Sequence, residues 1–539
     1  METPEQPTMS HDDKTQPFEP VPDPVGPDTQ KKAPARPSRR KLFIGAGVGI
    51  ATATVAGIAV AQIVQHSGAT QSSNTAMLGD HVQIGHLLRR AGFGATPQEL
   101  STYQSLGYTG AVNRLLSYQQ VPDDTMENRL KALNLDLNKP AQQQQWWLLR
   151  MAWTQRPLLE KMTLFWSGHF TSSFRKVGGP RAYMRMIIQN QFLRNHAFDT
   201  LDNLLLGITS DPAMLFYLDL TKSRKNAPNE NYARELMELF TLGLGHYSQQ
   251  DVYNAAAALT GWHIAPNDPL TSLFNPQDHS ELTKTFLGHT GNLGYKDVIN
   301  ILTNHPATPS FLARKLFTFF AYENPSDDDI KPLVDAYVKS NHNMGEVMRA
   351  LLLSPQFSSE KAYRNRVKSP TEFVVGAYRS LQINGDGREL PNQTTLMGQP
   401  LFDPPNVAGW PADKTSAFWL NGGTWMAHLN YINALVAGNN NRAGGKSLDY
   451  QSIVQANKID TPEHFVDSFS SFLLDGRLEA DRRAQLIDYF PNGQAQGVSP
   501  TNGKVNVQQI TLANGKSYPL NIVRGTLYLL MSSPEYQLN

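Results

Sequence analysis

The segment PNENYARELMELFTLGLGHYSQQDVYNAAAALTGWH, Pro228–His263, holds the densest run of residues able to do chemistry. Pro228 and Asn229 suit a helix start. Stepping 100° per residue from Tyr232, the side chains of Leu236, Leu239 and Phe240 fall within about 80° and make a buried stripe. Glu230, Arg234 and Glu238 follow at i, i+4 and i+8 on the opposite side, a charge ladder worth only ~0.2–0.5 kcal/mol per pair. Glu235 sits at roughly 300°, beside the stripe, and should be at least half-buried. A buried carboxylate needs an arginine, a histidine or a metal as partner. Glu235 and Glu238, at i, i+3, could hold a divalent cation or share acid–base work. The plainer role is a structural Glu–Arg or Glu–His tie between helices.

A second segment, KMTLFWSGHF, places Met162, Phe165, Trp166 and His169 on one helical face, so His169 should lie inside. Either it bonds a carbonyl or carboxylate there, or it meets Glu235 across two packed helices as co-ligand or as base and orienter. The third, LFDPPNVAGWPADKTSAFWLNGG, frames Trp410 and Trp419 with prolines and glycines. Such a loop could offer a sugar-stacking surface or simply pack onto a helical body. Asp278, His279 and Lys284 add polar groups without a standard ligand spacing. G-x-S-x-G, Walker, G-x-G-x-x-G and H-E-x-x-H patterns are absent from the globular part; GAGVGIATA belongs to the N-terminal apolar run.

The elements that would position these residues are overwhelmingly helical. In RRAGFGATPQELSTYQSLG, Gly92 and Gly94 break one helix, Thr96 caps the next, Pro97 takes its first position and Glu99 completes a capping box. Pro157 should divide the aromatic-rich run QQQQWWLLRMAWTQRPLLEKMTLFWSGHF. Further helices are expected at 181–195, 199–207, 231–243, 249–262, 309–321, 327–340, 344–353, 370–381, 418–437, 462–474, 480–489 and 522–532. Asn514-Gly515 suits a type I′ hairpin turn. LLLSPQF and LLMSSPEY, at 351–357 and 529–536, mark either a duplication or a shared helix stop. The expected fold is mainly α: a large multi-helix globular body with a minor β-hairpin near the C-terminus.

The 539 residues carry a net charge of +1, which gives no electrostatic footprint for nucleic acid. There is no cysteine, so disulfides, thiolate zinc sites, iron–sulfur clusters and covalently attached haem are excluded. Residues 1–37 carry nine prolines among polar residues and read as a disordered region. Residues 38–61 begin Ser38-Arg39-Arg40-Lys41 and continue as an uncharged run rich in Gly, Ala and Val. That segment resembles a twin-arginine export signal, with Ala59-Val60-Ala61 as a cleavage pattern. Left uncut, its roughly 20 apolar residues would reach across the bilayer as an anchor. Either way the globular part is expected outside the cytoplasmic membrane, with 62–78 as linker and 79–539 as one helical domain.

The pieces HLLRRAGFGATPQEL, FWSGHF, NENYARELMELFTLG, DVYNAAAALTGW, KTFLG, FLARKLFTFF, KSPTEFVVGAYRSL, PLFDPPNVAGWP and SSPEY run in order from about residue 81 to the end. Together they resemble the bacterial domain-of-unknown-function family 1800. The resemblance implies a largely helical exported protein and brings no settled activity or catalytic set. It also implies a companion, a second exported protein resembling sulfatases. Where relatives are expected to carry histidine, in ELHTLG, this chain has Phe240; His246 could replace it only if the next loop folds back.

Two functions follow as expectations. One is an envelope or extracellular accessory protein that binds a partner or a polysaccharide, with the Trp410 loop as contact. The other is a metal- or carboxylate-dependent hydrolase of an extracellular polymer or ester, using His169, Arg234, Glu235 and Glu238. Convergence of those four around an open space would favour the enzyme.

Overall fold

The computed structural model describes residues 78–179, 181–438, 448–492 and 508–539. The proline-rich region, the segment expected to be an export signal or anchor and nearly all of the expected linker lie outside them. Among the described residues no helix is long and apolar enough to cross a membrane. The elements are helices joined by short loops, with three two-stranded antiparallel sheets.

Local chemistry sets most helix boundaries. Thr96 accepts the Glu99 N–H at 3.1 Å and the Glu99 carboxylate accepts the Thr96 N–H at 2.9 Å, closing the expected box at the start of Pro97–Ser105. Pro157 divides the aromatic run into Pro140–Trp153 and Pro157–His169. The first packs on Pro370–Ser380 and the second on Ala182–Asn195. One apolar core, from Ile84 to Tyr536, is fed by helices along the whole described length. Trp147 and Trp166 are fully buried in it; their indole N–H groups donate to Glu160 and to the Ala197 carbonyl.

Three expectations need correction. The helix from Asn231 is not uniform: Glu230–Glu235 is α-helical and Leu236–Thr241 is a π-helix, with the Leu242 N–H reaching the Met237 carbonyl at 2.7 Å. The wider turn moves every later side chain off the 100° grid. The helix from Gln249 ends at Ala258, because Gly261 adopts φ +104° and Trp262–Ala265 pairs with Asp268–Phe274 as a hairpin. The C-terminal hairpin is present, Gln509–Thr511 against Ser517–Pro519, but its turn is not type I′. Its Gly515 N–H bonds the Leu512 carbonyl and only Gly515 has positive φ, whereas type I′ needs two such residues.

The two Ser-Pro echoes use one device. Ser354 and Ser533 each accept the N–H of the aromatic three residues on, Phe357 at 3.2 Å and Tyr536 at 3.4 Å, and both rings are buried.

Candidate functional site

His169 lies at the end of its helix, 3% exposed, among the rings of Phe165, Trp166, Phe170 and Phe240. Its Nε2 lies 3.1 Å from the Phe240 carbonyl, which can only accept, so Nε2 carries the proton. Burial and then the nearby Lys315 cation hold its pKa well below the usual histidine range, so the ring is neutral. The Phe240 ring is fully buried beside it, while His246 is exposed and faces His305. The loop therefore does not bring His246 in to replace Phe240.

Glu235 is half-buried, as the helical stripe requires. Burial and then the neighbouring Glu238 carboxylate push its pKa up, against Arg234 and Lys176. Glu238 accepts the Tyr247 hydroxyl at 2.8 Å. Arg234 bonds Glu230 at 3.1 Å and Gln249 at 3.0 Å. The ladder thus closes only on its first rung; Glu238 pairs with Tyr247 beyond the π-helix. Glu235 and Glu238 do share a neighbourhood, but His169 spends its N–H on a backbone carbonyl. Among the described residues no three His, Asp or Glu side chains gather where a metal ion could sit.

Trp410 and Trp419 are 3% and 4% exposed, in a small apolar cluster with Val367, Ala412, Leu420, Trp425 and Leu538. Rings enclosed in this way present no face for a sugar; the exposed aromatic of that loop is Phe418. Asp278 meets His263 at 2.9 Å, and His279 meets the Thr260 carbonyl at 3.0 Å. Lys284 is buried, with Nζ donating to the carbonyls of Ser280 at 2.6 Å and Leu282 at 2.8 Å. These groups pin the loop between two hairpins.

Sequence reasoning missed the most charged interior region. Five buried cations, Arg89, Arg90, Lys161, Arg364 and Arg366, share three side-chain carboxylates, Glu323, Glu372 and Asp475, and a sixth buried basic residue, Lys368, lies with them. Glu372 receives Lys161 directly and Arg90 at 3.8 Å, and these cations, against burial, hold its pKa at about 2. Lys161 also donates to the Gly92 carbonyl at 3.0 Å. Asp475 receives Arg89 directly, with Arg364 at 3.6 Å and the Tyr363 hydroxyl at 3.1 Å. Arg366 pairs with Glu323 at 3.3 Å. Lys368 has no carboxylate ion pair among the described residues; its Nζ donates to the Tyr536 carbonyl at 2.6 Å. Burial, then Arg364 and Arg89, hold its pKa well below the usual lysine range. The available signal was a cation on an apolar stripe: Lys161 stands three residues after Leu158 and four before Phe165, all buried.

Beside this centre runs a groove of about 340 Å³, with apolar walls that include Leu381, Ile383, Leu448, Ile453, Phe469 and Phe472. Its size lies within the ~300–1,000 Å³ common for ligand sites. A family model described as a protein of unknown function (DUF1800) matches residues 86–538. Neither the curated proteins nor the solved structures contain a match to this chain.

Proposed function

Because the chain belongs to the DUF1800 family of proteins of unknown function, we propose for it a role that this membership leaves open: an exported accessory protein of the bacterial envelope that works by binding. The observation that carries this reading is the placement of His169. Its Nε2–H is held by the Phe240 carbonyl, and its basic Nδ1 is buried without a partner inside a shell of aromatic rings, where, among the described residues, no carboxylate, metal-ligand group or cleft meets it; so enclosed, the residue best suited to base or ligand chemistry serves packing. The groove beside Phe472 supplies the contact surface in place of the enclosed tryptophans. The companion is a second exported protein resembling sulfatases, and Arg39-Arg40 direct export by the twin-arginine route.

Replacing Arg39 and Arg40 together by lysine is expected to strand the protein in the cytosol, read by cell fractionation and immunoblotting of the full chain. Equal export of wild type and variant would defeat the proposed route.

One observation favours a hydrolase as the second reading: burial and Glu238 raise the Glu235 pKa in the direction a general acid needs. Under the binding reading, Glu235→Gln should change stability by less than ~1 kcal/mol, measured by urea unfolding, and leave retention in the envelope intact. Loss of an ester- or polymer-cleaving activity in that variant, or metal in the natively exported protein by elemental analysis, would favour the enzyme.

A further inference from the structure

A small cavity of about 20 Å³ opens within the charged centre, lined by Arg89, Lys368, Glu372, Ser380, Phe472 and Asn539 among others. Ser380 and Phe472 are also walls of the apolar groove, so the two spaces adjoin. Arg89 is 7% exposed at its side chain. Its Nη1 is taken by Asp475, yet Nε and Nη2 are buried without a partner. Those two N–H groups lie along one edge of the guanidinium, the fork that receives both oxygens of a carboxylate. Arg364 Nη2 is also buried without a hydrogen bond. Leaving such donors unmade costs about 1–3 kcal/mol each, more for a charged group.

We propose that this cavity is the head of a binding site for a monocarboxylate with an apolar body. The carboxylate lies side-on to the Nε–Nη2 edge of Arg89 near Lys368, and the apolar body lies along the groove past Phe472. Charge supports an anion, since five buried cations share three side-chain carboxylates, and a further carboxyl, Asp413 beside Arg366, has its pKa raised by burial to about 7. Size limits the head: at about 10–15 Å³ per water-sized group, the cavity of about 20 Å³ admits one or two, the oxygens of a carboxylate entering from the groove and not the four of a phosphate. Glu372 on the wall also penalises a doubly charged ligand. The assignment rests on the binding reading above and names the ligand class for the same groove.

The test is calorimetric titration of the full chain with octanoate, octanol, acetate and inorganic phosphate. Octanoate should bind, and bind at least tenfold more tightly than octanol or acetate. Arg89→Lys keeps the charge but loses the fork, and should weaken octanoate at least tenfold. Ser380→Leu leaves every ion pair in place and narrows the passage between the two spaces; it should weaken octanoate to a similar extent, and it decides the matter if Arg89→Lys fails to fold. Octanol matching octanoate, phosphate binding in preference to it, or wild-type affinity in Ser380→Leu would each overturn the assignment. A chain that ignores octanoate but is still exported and held in the envelope overturns this ligand class alone. Cytosolic residence overturns the reading beneath it.

Discussion

Glu372→Ala is expected to destabilise the protein by about 3–5 kcal/mol, the range seen when one partner of a buried ion pair is removed. Lys161, with no exposed side-chain surface, and Arg90 would both lose their carboxylate. The Pro370–Ser380 helix would also lose half of its capping box, in which the Glu372 carboxylate accepts the Ser369 N–H at 2.8 Å. Urea unfolding at neutral pH measures the loss. Adding Lys161→Met to Glu372→Gln should recover part of it, because the pair is then replaced rather than broken. A Glu372→Ala cost below ~1 kcal/mol would mean that the pair does not form. The same carboxyl makes stability acid-sensitive. Its pKa falls from 4.5 to about 2 in the fold, so the stabilisation is complete above pH 4.5 and drains away as the pH drops toward 2. That shift corresponds to roughly 3 kcal/mol. The Lys161 pKa is held down at about 8, mainly by burial, so the pair remains ionised at neutral pH.

Gly85→Ala should be nearly as damaging, although alanine ordinarily strengthens a helix by up to ~1 kcal/mol relative to glycine. Gly85 stands one turn before Arg89 in the Asp80–Arg90 helix. A methyl group there would come within 2.7 Å of the Asp475 Cγ, so Asp475 would have to withdraw from Arg89 and Arg364. About 3 kcal/mol is expected, the lower end of the cost of breaking a buried pair. Thermal unfolding of Gly85→Ala beside Asp475→Asn checks it. The double variant should be little worse than either single one, since both remove the same interaction. Full additivity would separate the glycine from the pair.

What could be read from the sequence was local. Thr96, Pro97 and Glu99 lie within one turn of each other, and their box is present as expected. Pro157 divides a helix by its own missing N–H and ring, with no help from distant residues. The half-burial of Glu235 and the interior place of His169 also followed from periodicity. The partners of those residues did not. The 100° grid has no means of finding the π-helix at Leu236–Thr241, and so it puts Glu238 in a ladder, whereas the carboxylate accepts the Tyr247 hydroxyl. The stop at Ala258 depends on Gly261 fitting against the Phe274 ring, a contact across a hairpin. The charged centre was hardest to see. Each of its cations is unremarkable within its own helix or loop, and the carboxylates that answer them lie far along the chain, from 43 residues for Arg366 and Glu323 upward. Lys161 and Glu372 are 211 positions apart, and Arg89 and Asp475 are 386 apart.

That last separation bears on how the molecule is made. At ~5–20 residues per second, a ribosome needs roughly 20–80 seconds between adding Arg89 and adding Asp475. Through that interval the Asp80–Arg90 helix carries an arginine whose carboxylate has not yet been made. The contact between the Asp80–Arg90 helix and Asp475 can therefore close only late in synthesis, after most of the core it borders has been made.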